Sequence, residues 1–216
     1  MFGGLARRST GAVEAAKFQG GERRVVRGLE QAHFALSLQG PGYLDSNVYA
    51  AQLHAGILGG SMSSRLFQEA REKRGLCYSI FAQNASYADS GSLMIYAGTA
   101  EDSLAELIQV VIDEMRRLPG DVTDAELERA RAQIKAGMLM GLESASGRCE
   151  RLARMTAIWD RVPGVEETVE KIDAVGRADL AAFAEQVCAQ ADPALALYGP
   201  VSAAPDHEGI RARLAA

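Results

Sequence analysis

Between Ala32 and Leu38 the apolar residues Phe34, Leu36 and Leu38 alternate with His33, Ala35 and Ser37. A period of two predicts a strand with one buried face. Glu22–Leu29 predicts a strand before it, and Gly40-Pro41-Gly42 ends the pair, since Gly and Pro interrupt strands. The period then turns helical. Val48, Leu53, Ile57 and Leu58 share one side of a helix over Asn47–Leu58, with Asp45 or Ser46 as cap and Gly59-Gly60-Ser61 as closing turn. A second helix is predicted over Ser63–Arg74, with Leu66 and Phe67 as its apolar contacts and Gly75 just past its end. Leu76–Tyr87 and Ser92–Gly98 predict a hairpin turned by Asp89-Ser90-Gly91.

The remainder is mostly helical. Leu104, Leu107, Ile108, Val111 and Met115 keep helical spacing, and Thr123-Asp124-Ala125-Glu126 is a capping box. The helix it starts carries Leu127, Ile134, Met138 and Leu142 on one side, breaks near Ser144–Gly147, and is followed by a helix to Trp159. Val165–Asp173 and Arg177–Ala189 predict two shorter helices, and Leu195–Tyr198 a last strand. Strands arranged as hairpins, without βαβ alternation, predict an α+β fold: a largely antiparallel sheet with a layer of helices on one face. Residues 1–21 are linker-like, 22–200 one domain and 201–216 a polar tail. A linker-like start predicts a part of something longer.

Of the 216 residues 48% are apolar and 24% charged, ordinary for a folded protein. The net charge of −5 argues against a nucleic-acid partner, which calls for a basic excess. No run approaches the ~18 apolar residues of a membrane helix, and the N-terminus has no signal-peptide core, so no membrane partner is expected. Cys77, Cys149 and Cys188 form no CxxC pair. That pattern fits reduced thiols and a cytoplasmic location.

The histidines, His33, His54 and His207, stand in neither HExxH nor HxxEH, so the chain has no two-histidine helical zinc motif. Gly59-Gly60-Ser61 lacks the phosphate-loop pattern, and no GxSxG elbow is present. The segment Ser64–Tyr78 is densely charged. One reading is a solvated helix face, with Glu69–Lys73 as an i,i+4 pair worth about 0.2–0.5 kcal/mol. The other concerns Arg71, near the end of the helix, and Tyr78, at the start of the next strand. Gly75 turns the chain between them, so both project from one sheet edge as donors for a carbonyl or oxyanion.

The runs GGSMSSRLFQEAREKRGLCYSIFAQ and YADSGSLMIYAGT, with LEQAHFALSLQGPGY and VTDAELERARAQIKAGMLMGLES in the same order, resemble the pitrilysin-type zinc metallopeptidases. The closest likeness is to the bacterial processing-peptidase subgroup, similar to mitochondrial processing peptidase. The resemblance covers about Gly21 to Pro200. It implies one half of a clam-shell built from homologous α+β domains. In that family an N-terminal half binds zinc through HxxEH and a distant Glu, and a C-terminal half without metal supplies an Arg and a Tyr seven positions apart. Those positions match Arg71 and Tyr78. HxxEH is absent here, so the chain resembles the C-terminal, non-zinc domain and is expected to be inactive alone.

The implied cofactor is therefore zinc, held by the other half and not by this chain. The implied partners are a zinc-bearing N-terminal half or homologous subunit, in a dimeric full enzyme, and a peptide substrate. A different class is also open: a non-catalytic partner or scaffold subunit of the same family.

Overall fold

The structure, a computed structural model, describes residues 14–189 and 192–216. Its strands are β1 Gly21–Val26, β2 Ala32–Gly40, β3 Cys77–Ser86, β4 Gly91–Thr99 and β5 Ala194–Gly199. Its α-helices are α1 Val48–Gly59, α2 Leu104–Asp121, α3 Asp124–Gly141, α4 Ala145–Trp159, α5 Val165–Ala174, α6 Arg177–Ala189 and α7 His207–Ala215. The strands form one sheet in the order β1-β5-β2-β4-β3. All neighbours are antiparallel except β1 and β5.

The predicted pairing of β1 with β2 does not occur, because β5 lies between them. Leu195 and Leu197 of β5 are buried beside Phe34, Leu36 and Leu38 of β2. The first strand, GERRVV, carries three charged residues and suits a sheet edge, where charge discourages further pairing. The β3–β4 hairpin forms as predicted and puts β3 at the opposite edge.

One sheet face, carrying Phe34, Leu36, Leu93, Ile95, Ala97 and Leu197, joins the helices in the core. Helix α1 is buried on almost every side, including Ala50, Ala51, Leu53, His54, Ala55 and Leu58. Its small residues let it approach the sheet closely. A Cβ on Gly59 would stand 2.3 Å from the backbone nitrogen of Ala82 in β3. The predicted capping box starts α3: the Glu126 N–H donates to Thr123 Oγ1 at 3.2 Å, and the Thr123 N–H donates to Glu126 Oε2 at 2.9 Å. No residue of α4 is buried.

Two boundaries differ from expectation. The segment 201–216 is not a polar tail. Asp206 caps α7 by accepting from the Gly209 N–H at 2.8 Å, and Ile210 and Leu214 are buried in the core. Of the linker-like start, residues 1–13 lie outside the described residues, and 14–20 have no regular secondary structure. Among the described residues no helix is long and apolar enough to cross a membrane.

Candidate functional site

The predicted ordinary helix over Ser63–Arg74 is instead a short turn at Arg65 and Leu66 followed by a π-helix, Phe67–Lys73. Such i→i+5 insertions recur at functional sites, because the widened turn re-aims side chains. Gly75 then reverses the chain with φ +63°, a conformation open to glycine at little cost. Its N–H donates to the Arg71 carbonyl at 3.1 Å, and the Leu76 N–H donates to the Ala70 carbonyl at 2.8 Å. The Thr99 hydroxyl donates to the Leu76 carbonyl at 2.5 Å, tying the start of β3 to the end of β4.

The β3–β4 register then slips. Cys77 faces Thr99 and Ser79 faces Gly98, which leaves Tyr78 as the extra residue of a β-bulge. Bulges turn one side chain away from the regular alternation, and Tyr78 is 78% exposed at the sheet edge. The Arg71 guanidinium carbon lies 5.3 Å from the Tyr78 ring centroid and 4.5 Å from that of Phe67. The Arg71 side chain is 36% exposed, and its ion-pair contact, Glu72, is at the long distance of 4.0 Å. Among the described residues its guanidinium donates no hydrogen bond. The structure thus brings Arg71 and Tyr78 together, with a charged donor and a hydroxyl facing solvent.

The surrounding charges are occupied. Lys73 donates to Glu69 at 2.5 Å, which holds that carboxyl below its usual range and accounts for both residues as a helix-face pair. Arg65 donates to Asp121 and, through Nε and Nη2, to Glu126 at 2.6 and 2.9 Å. The Cys77 thiol is pushed up by burial, against a smaller opposing pull from Arg71, so it is not a ready nucleophile. Phe67, read from sequence as an apolar contact of its helix, is partly buried and stands outside the core cluster. Its spacing of four from Arg71 was the available signal of their contact.

The three histidines sit on separate elements. His33 Nδ1, on β2, is 2.8 Å from the Tyr96 hydroxyl. His54 is sealed in α1 against Phe183. His207 Nε2, on α7, is 2.7 Å from the Pro193 carbonyl. Among the described residues no group of three or more His, Cys, Asp or Glu is placed to hold a metal ion. The described residues do not fit a zinc site.

Residues 2–134 match the family model described as the peptidase M16 inactive domain. An "Uncharacterized zinc protease" of Rickettsia bellii is 35% identical over 188 residues, 87% of this chain and 46% of that protein. The "Uncharacterized zinc protease YmxG" of Bacillus subtilis is 34% identical over 172 residues, 79% of this chain and 42% of that protein. The chain thus spans less than half the length of these curated relatives. A chain of the solved "Complex III2 from Candida albicans, Inz-5 bound" has a TM-score of 0.83 over 91% of this chain and 50% of its own. At 22% identity that likeness concerns the fold alone. By sequence, the chain belongs to the M16 family of zinc peptidases and corresponds to its inactive, C-terminal domain.

Proposed function

We propose that this domain supplies Arg71 and Tyr78 as hydrogen-bond donors to the substrate carbonyl in a zinc endopeptidase whose metal centre lies on another domain or subunit. One observation carries the reading: Arg71 is packed on Tyr78 at a sheet edge with no carboxylate within hydrogen-bonding distance. A peptide carbonyl under attack gathers negative charge on its oxygen. Donors fixed in advance near that oxygen stabilise the transition state more than the ground state. The π-turn sets Arg71 and the bulge sets Tyr78, so neither donor has to be ordered when substrate arrives. An extended peptide suits the place, because β3 is the outermost strand at that end of the sheet.

The partner in this reading is a zinc-bearing half or a homologous subunit. A scaffold subunit of the same family would have no use for an uncommitted arginine beside an exposed tyrosine, which favours the catalytic reading. The test uses the chain assembled with its HxxEH-bearing partner. Arg71→Ala and Tyr78→Phe should each lower kcat, by about 10²–10³-fold for loss of a full donor, with a smaller change in KM. If both variants keep the wild-type kcat, the donor role fails and the scaffold reading replaces it.

A further inference from the structure

We infer that Phe67 is a positioning residue for Arg71: it clamps the guanidinium against Tyr78 so that the flat faces are covered and the N–H edges stay free. This rests on the donor role proposed above for Arg71. The Arg71 guanidinium carbon lies 4.5 Å from the Phe67 centroid and 5.3 Å from the Tyr78 centroid. Both distances are within cation–π range.

An arginine side chain is long and has many rotamers, so presenting it costs conformational entropy unless something holds it. Carboxylates would hold it, as Asp121 and Glu126 hold Arg65, but they would also occupy its donors and balance its charge. Aromatic faces hold the plane and leave all five in-plane N–H groups available. Phe67 has no competing duty, since it stands outside the core cluster that Leu66 and Ala70 join. Its place at the start of the π-helix, four residues before Arg71, puts the two on one face.

The clamp is tested first on this chain alone, by NMR of the Arg71 Nε–Hε group. Phe67→Leu should remove the ring-current shift and lower the order parameter of that group. Phe67→Tyr should restore both. An unchanged Arg71 signal in Phe67→Leu overturns the clamp. In the assembled enzyme Phe67→Leu should lower kcat about 2- to 5-fold with KM and thermal midpoint held, and Phe67→Tyr should recover it. Equal kcat in the leucine and tyrosine variants overturns the positioning role. If Arg71→Ala leaves kcat unchanged while the NMR result stands, the donor reading has failed and the positioning role falls with it, although the packing is real.

Discussion

Arg65 and Arg71 lie on one helical stretch, six residues apart, and their guanidiniums are held in opposite ways. Arg65, with its side chain 8% exposed, is locked by Asp121 at the end of α2 and Glu126 at the start of α3. Arg71, 36% exposed, lies against the Phe67 and Tyr78 rings, and its nearest ion-pair contact, Glu72, is at 4.0 Å. The first arrangement joins elements of the fold. The second keeps a charge available.

Their stability effects should therefore diverge. Arg65→Ala leaves the half-buried Glu126 without its cation, while Asp121 keeps Arg117 at 3.1 Å, and should cost about 1–3 kcal/mol. Arg71→Ala removes a partly exposed side chain and should stay within about 0.5 kcal/mol. Urea unfolding of the two variants checks this. Equal losses would contradict the division of roles.

Acid should weaken the fold in two stages. Burial lowers His54 from 6.5 to about 4, with Arg65 adding to the effect. The unfolded chain takes up that proton first, so this contribution is complete above pH 6.5 and is lost as pH falls toward 4. Burial works to raise the Glu126 carboxyl, but hydrogen bonds from Arg65 and Thr123 outweigh it and hold the group at about 2, against an ordinary 4.5. Its contribution is complete above pH 4.5 and is lost toward pH 2. Unfolding free energies measured against pH should show His54→Leu flattening the difference between pH 6.5 and 4 while the lower stage remains. A parallel wild-type and variant profile over that range would refute the His54 assignment.

Gly59 tests the packing of α1 on the sheet. A Cβ there would stand 2.3 Å from the Ala82 nitrogen and 2.8 Å from its Cβ. Gly59→Ala should cost about 1–3 kcal/mol by overpacking, despite alanine's better helix propensity. Thermal unfolding would show a lowered midpoint, and a raised one would mean that helix and strand separate freely.

The sequence disclosed the parts of this molecule that local chemistry dictates. The alternation at Phe34, Leu36 and Leu38, the Asp89-Ser90-Gly91 turn and the Thr123–Glu126 box each name their structure within a few residues. The placement of β5 between β1 and β2 was hidden, because strand order is decided by contacts far apart in sequence. The helix α7 was hidden because only Ile210 and Leu214 mark its buried side in a charged segment. At the candidate site, the spacing of Arg71, Gly75 and Tyr78 suggested a shared edge. The π-turn and the bulge that fix the contact leave no trace in hydrophobic periodicity, and the four-residue spacing of Phe67 and Arg71 was a local sign of it.

The central claim is that Arg71 acts on the reaction and not on the fold. The most direct measurement is kcat at saturating peptide for Arg71→Ala in the assembled enzyme, beside its thermal midpoint. The account predicts a loss on the order of 10²–10³-fold with the midpoint within about 2 °C of wild type. A kcat within twofold of wild type at that same midpoint would contradict it.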